Sequence, residues 1–307
     1  SEGMGDRLEL VEAKLRLNIN SVLDECSRSD IQMAVEGGRF IVPFGAFASQ
    51  SNPAVYRTVT RPLIYNMGQR VHDGDIGDPV LPMPYSDEGS NISIDTDLNG
   101  TWRLGMIGYV VNGLQSDRNG INFDQSRDYV ANNNSPSFGS RVTLGTSALN
   151  FGSSIITGQS SPSGGIDGIS DKLYYRIYGY DASYKIPSLF RMQFEYAHRE
   201  SDRGAPEPDA FRVRDRVGGY YLEGEYYSQI FPRISYITRY DCQDRRSDYA
   251  PDESSIGLGS LTVSRFTYGM NLNLKRAGLL MINHERWNLP GGLERMDVLG
   301  VRWVYSF

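Results

Sequence analysis

The feature that most constrains this chain is a sequence period of two. Tyr178, Tyr180, Ala182, Tyr184 and Ile186 alternate with Gly179, Asp181, Ser183 and Lys185. Phe190, Met192, Phe194 and Tyr196 alternate with Arg191, Gln193 and Glu195, and Ile234, Tyr236, Thr238 and Tyr240 with Arg233, Ser235, Arg239 and Asp241. Phe266, Tyr268, Met270, Leu272 and Leu274 alternate with Arg265, Thr267, Asn271, Asn273 and Lys275. Successive side chains point to opposite faces in a strand, whereas a helix repeats every 3.6 residues. The pattern predicts long strands with one aromatic face and one charged face.

Extended along the chain, the alternation predicts thirteen clear strands, at residues 8–20, 31–42, 91–98, 101–112, 140–149, 150–159, 172–186, 189–200, 216–228, 232–244, 261–276, 279–289 and 295–307. Two of them, Phe151–Gln159 and Leu279–Leu289, have no cleanly apolar face. The connections alternate in length. Short ones fall at Asn99-Gly100, a hairpin signal, at the break near Leu149-Asn150, and at Pro187–Leu189, Gln229–Pro232 and Ala277-Gly278; long ones span Phe44–Gly89, Gly113–Gly139, Ser160–Asp171, Ser201–Asp215 and Asp244–Ser260.

Alternation alone does not say which face meets water. A soluble sandwich buries its apolar face, and a transmembrane barrel turns it to lipid. Three features favour the barrel: strands of about 10 residues or more, as a tilted membrane strand needs; full charges along the polar face; and an apolar face rich in aromatics, as interfacial girdles are. With 20 Tyr, 12 Phe and 33 Gly, the composition suits many strands and tight turns. Mean hydropathy is below zero, and no apolar run approaches the roughly 20 residues of a membrane helix. The expected fold is all-β: one domain, 1–307, forming a transmembrane antiparallel up-and-down β-barrel with short periplasmic turns and long outer loops, in the cell outer membrane. A large soluble barrel or sandwich is the competing reading.

The chain ends in "VRWVYSF", with Leu299, Val301, Trp303, Tyr305 and Phe307 on one face. This ending resembles the carboxy-terminal strand of bacterial outer-membrane barrel proteins. The resemblance implies that Trp303, Tyr305 and Phe307 form the signal read by the barrel-assembly machinery, with Phe307 at the periplasmic rim. Counting back from it orients every strand and makes the first run downward. Bacterial single-chain barrels have even strand numbers, so about fourteen strands are expected, within a range of about 12–16. The fourteenth would precede residue 8; a twelve-stranded barrel with Leu8–Asn20 outside it is the alternative. The same orientation sets Cys26 and Cys242 a membrane thickness apart, so no disulfide between them is expected.

The stretch "GGRFIVPFGAF" (Gly37–Phe47), followed by "RPLIYNMGQRV" (Arg61–Val71), is similar to the phosphate-selective porin family. That resemblance implies a porin without specifying its solute. Pro43 removes a ladder donor, and the segment 44–90 is too long for a plain loop, a sign of function. The expectation is that part of it, around Asn52–Gln69, folds into the lumen, with Arg57, Arg61 and Arg70 facing the pore. The alternative is a loop over the outer mouth whose arginines pair with Asp73, Asp75 and Asp78.

Face assignment gives the remaining pore-lining candidates: Arg39, Arg103, Arg141, Arg191, Arg233, Arg239, Arg265, Lys275 and Arg302, with Lys14, Arg16 and Lys185 beside them. The acids assigned to the same wall are Glu36, Asp95, Asp97, Asp181, Glu195, Glu223, Glu225, Asp241 and Glu285. Twelve bases against nine acids predict a weakly anion-preferring pore, since rings of charge set ion preference. Pairing across neighbouring strands would cancel that field.

The expected function is that of an outer-membrane porin giving passive diffusion of small hydrophilic solutes or ions. The alternative is a structural or anchoring barrel of a larger complex, with its lumen plugged or closed. No enzyme activity is expected: His72, His198 and His284 are the only histidines and form no metal-spaced motif. No cofactor or metal is expected. A net charge of −6 argues against nucleic acid as a partner. The expected partners are outer-membrane lipid and lipopolysaccharide, the assembly machinery, and further copies in a homotrimer or larger complex.

Overall fold

The computed structural model describes residues 10–19, 31–50, 55–66, 70–71, 74–75, 79–117, 120–126, 135–160, 173–203, 213–247, 260–274, 278–289 and 295–305. Its strands are β1 (Ala13–Asn18), β2 (Ile31–Ile41), β3 (Arg70–Val71), β4 (Gly74–Asp75), β5 (Ser86–Asp97), β6 (Arg103–Val111), β7 (Ser116–Asp117), β8 (Gly120–Ile121), β9 (Ser137–Gly145), β10 (Leu149–Ser160), β11 (Leu173–Ile186), β12 (Phe190–Arg203), β13 (Val213–Tyr227), β14 (Ile234–Ser247), β15 (Ser260–Asn273), β16 (Leu279–Asn288) and β17 (Met296–Val304). Thirteen of them form one sheet in the order β1-β2-β5-β6-β9-β10-β11-β12-β13-β14-β15-β16-β17. The pairs are antiparallel and join consecutive strands of the sheet. The fold is therefore all-β and up-and-down. The pairs β3–β4 and β7–β8 are separate two-stranded ribbons within long connections.

All thirteen strands expected from the alternation are present, with ends moved by a few residues. The largest shifts, five residues each, are at β1, which begins at Ala13, and at β5, which begins at Ser86 because Ser86–Asn91 pair with β2. Among the described residues, β1 and β17 do not pair with each other. An odd number of antiparallel strands makes the first and last run the same way, so the ladder that joins every other pair cannot join these two.

Burial inverts the pattern of a soluble sheet. On β11, Tyr180 is 55 % exposed and its neighbour Asp181 only 7 %. On β12, Gln193, Glu195 and Arg199 are buried while Met192 and Phe194 are exposed. At the carboxy-terminal strand Leu299, Val301 and Trp303 are exposed on one face, with Arg302 half-buried on the other.

The inner face also holds an apolar cluster. Phe40, Tyr109, Ile156, Tyr175, Ile177, Val217 and Tyr221 of the wall meet Val42, Phe44, Phe47, Tyr56, Ile64, Tyr65, Val80, Leu81 and Met83 of the segment between β2 and β5. A second cluster joins Leu63 to Val263 and Trp287. These clusters explain the two strands with no clean apolar face. Ile156 of β10 and Met281 and Trp287 of β16 point inward and are buried, while His284 and Arg286 take outward positions.

Candidate functional site

The segment that leaves β2 crosses the inner face of the sheet as a strap. Gly45 makes the entry: its φ is +67°, and a Cβ there would lie 1.7 Å from Glu195 Oε1. No side chain fits that approach, and glycine alone adopts such a φ at low cost. Farther on, Pro62 precedes a single 3-10 turn, Leu63–Tyr65, that is buried throughout. Backbone bonds from Val80 and Leu81 to Ile64 O tie the returning segment to this turn. The strap rests on bare wall at Gly219, where an added Cβ would meet Ile64 Cγ2 at 2.8 Å.

Wall polar groups take the strap's backbone and hydroxyls as partners. Gly45 N donates to Ser154 Oγ (3.1 Å), Phe47 N to Glu195 Oε2 (3.2 Å), Val59 N to Asn283 Oδ1 (2.6 Å) and Leu63 N to Asp241 Oδ1 (3.0 Å). Asn271 Nδ2 donates to Arg57 O (2.9 Å) and Arg302 Nη1 to Val59 O (3.4 Å). Arg239 donates to Thr58 Oγ1, to Thr60 O (3.0 Å) and to Arg61 O (3.2 Å). Arg265 donates to Thr60 Oγ1 (2.9 Å) and Arg61 O (2.6 Å). Partners from Ser154 to Arg302 converge on this one segment, so the sheet curves around it.

The wall charges form a chain of pairs. Arg141 grips Asp181 through two bonds (2.7 and 3.0 Å). Arg191 pairs with Glu223 and lies 3.5 Å from Glu225. Arg239 is 2.9 Å from Asp241 and 3.5 Å from Glu223. Arg265 is 3.2 Å from Asp241 and 3.5 Å from Glu285, and stacks on Trp287 at 4.7 Å. Arg239 and Arg265 are 0 % exposed. Buried charges survive only when paired and hydrogen-bonded, and here the strap's carbonyls complete the set. Glu195 is held differently, by hydroxyls: it accepts from Tyr65 and from Tyr221 (3.0 Å). Burial first, and then the nearby Glu195 charge, raise the Tyr65 hydroxyl well above its ordinary range. Tyr65 therefore stays a donor.

The pore-lining candidates divide into groups. Arg141, Arg191, Arg239, Arg265 and Arg302 belong to the inner wall, and Arg302 lies over the Tyr56 ring at 4.6 Å. Arg57 and Arg61 sit on the strap. The Arg57 side chain is 36 % exposed and 3.8 Å from Glu225, and Arg61 donates to Met83 O. Arg103 pairs with Asp97 at an exposed position near the Asn99-Gly100 turn. Arg233 is exposed at the turn before β14.

Arg39 is a correction: it stands opposite Glu88, 3.9 Å away, on the face opposite to Glu36 and Phe40. Strict parity from Glu36 requires this. Lys275, Phe307, Cys26 and the Arg70 side chain lie outside the described residues; Cys242 is a free thiol. Sequence reasoning missed the hydroxyl latch at Glu195. Its available signal was the set of apolar and tyrosine residues on the charged face, including Ile177, Val217, Tyr221 and Ile237.

No protein-family model matches the chain, and no curated protein matches it. Among solved structures it is similar to outer-membrane-expressed OmpT of Vibrio cholerae, at 9% identity and a TM-score of 0.45, over 84% of this chain and 69% of that one. An in-vitro folded form of the same Vibrio cholerae outer-membrane protein gives 8% identity and 0.46, over 89% and 78%. The toluene transporter TodX of Pseudomonas putida gives 12% and 0.28, over 72% and 76%.

Proposed function

We propose that this chain is an outer-membrane β-barrel of porin type, in which a strap folded against the inner wall narrows the path for small hydrophilic solutes or ions. The membrane assignment is supported by the inverted faces: aromatics outward, ionised pairs inward, as a lipid-facing barrel requires. The observation that carries the constriction is the set of wall-to-strap hydrogen bonds centred on Arg239 and Arg265. The resemblance of Gly37–Phe47 to phosphate-selective porins agrees with this reading.

The anion preference narrows to the strap. Wall arginines are matched by carboxylates, so their fields largely cancel. Residues 44–66 carry Arg57 and Arg61 and no acid. Arg57 lies 3.8 Å from Glu225, so the local excess on the strap falls to Arg61, which donates to Met83 O and forms no ion pair among the described residues. Reversal potentials of single channels under a salt gradient test this: weak anion preference is expected, and Arg57→Gln/Arg61→Gln should abolish it. Clear cation preference in the unaltered protein would refute it.

The apolar cluster between strap and wall favours one second reading, a closed barrel that anchors a larger assembly. Planar-bilayer recordings separate the two: a porin conducts after insertion, and a closed barrel inserts without conducting.

A further inference from the structure

The outward face of β11–β14 carries arginine at the loop end alone. Below that end its side chains run through Tyr178, Tyr180, Ala182, Tyr184 and Ile186 on β11 and Met192, Phe194 and Tyr196 on β12. At the loop end, register aligns Arg176 with Glu200, Glu200 with Arg216, and Arg216 with Arg246. Arg214 lies one outward position beyond Arg216. Arg176, Arg214 and Arg216 are exposed and make no ion pair among the described residues. Each has an acid across the ladder and forms no ion pair with it: Glu200 stands opposite Arg176 and Arg216 and lies 3.8 Å from His198, Asp202 stands opposite Arg214 and accepts from Tyr174 N, and Asp244 holds Arg246 at 2.8 Å.

Two observations point to an absent anion. Arg216 and Arg246 are direct cross-strand partners, and like charges so placed destabilise a sheet. The depth also fits. Ten residues separate Ile186 from Arg176; at about 3.3 Å per residue and a tilt of about 40°, that is about 25 Å of height, the height of the lipid-facing band of such barrels. The arginines then stand at the headgroup level of the outer leaflet, directly above an aromatic surface suited to acyl chains.

We propose that Arg176, Arg214 and Arg216 bind the phosphate groups of lipopolysaccharide, with the tyrosines below them against its acyl chains. The guanidinium fork matches phosphate geometry. A soluble phosphate would use the arginines and leave the aromatic surface idle. This inference rests on the outer-membrane reading above.

The test uses the full chain refolded in detergent and titrated with fluorescent lipopolysaccharide. Arg176→Gln/Arg214→Gln/Arg216→Gln should bind about tenfold more weakly or worse, the loss expected from removing charged hydrogen bonds. The corresponding triple lysine variant, which keeps the charge and loses the fork, should bind between the glutamine variant and the unaltered protein, and dephosphorylated lipopolysaccharide should bind the unaltered protein as weakly as the intact lipid binds the glutamine variant. Equal binding by the glutamine variant would overturn the proposal. So would complete competition by inorganic phosphate, which would mark a free-anion site. If the glutamine variant does not fold, the lysine variant and the dephosphorylated lipid decide. Flotation with liposomes keeps the two readings apart. A chain that does not insert sinks the membrane assignment; one that inserts but binds lipid without regard to these arginines sinks this site alone.

Discussion

The inward charges of β1–β6 and those of β12–β16 follow one alternation and end in different surroundings. Asp97 and Arg103 pair at 3.1 Å with side chains 50% and 69% exposed, and Lys14 and Arg16, 34% and 57% exposed, share the less exposed Glu36. Arg239 and Arg265 enclose Asp241 with all three at 0%. The residue types are the same; what differs is the strap. Where it lies, Arg239 and Arg265 find carboxylate and carbonyl partners in place of water. Where it does not, solvent screens the pairs and their energetic weight is small. A charged inner face can therefore serve as a solvated wall or as a latch, and the choice depends on what it meets.

The sharpest way to break this contrast is Arg239→Ala with Arg265→Ala. It leaves Asp241 and Glu285 buried without their cations, at about 3–5 kcal/mol for each broken pair. The strap should come free: trypsin should cut after Arg57 in the folded variant and spare the unaltered protein (Arg61 precedes Pro62, a bond trypsin does not cut), and any single-channel conductance should rise. An uncut strap would show that these arginines do not hold it.

Tyr65→Phe is a smaller perturbation on the same side. It removes one hydroxyl from Glu195 and leaves Tyr221 and the Phe47 N–H in place. The expected cost is about 1–3 kcal/mol, read as a lower denaturant midpoint; an unchanged midpoint would make that bond incidental.

On the other side, Arg103→Ala should change stability by no more than about 1 kcal/mol, as exposed ion pairs do, with trypsin resistance of the strap unchanged. A large loss there would mean that the two halves are not different in kind.

Much of the strand layout was legible because parity is a local property. Tyr178 and Asp181 had to face opposite ways whatever lay beyond them, and the same rule separates Arg39 from Glu36. The strap's seat was less legible. Inward Ile177, Val217, Val263 and Met281 marked a dry patch on a charged face, but nothing local named what would cover it. Contacts such as Val59 with Asn283 span 224 residues, and alternation carries no information about which distant segment supplies a partner.

The sequence by itself determined which residues share a face and where the strands turn, because pleating imposes a period of two on any extended chain. Only the tertiary structure decided which charges are screened and which are sealed. That outcome depends on curvature bringing Ser154, Glu195, Asp241, Asn283 and Arg302 around one segment, and on the strap's N–H and C=O groups finding dry partners there.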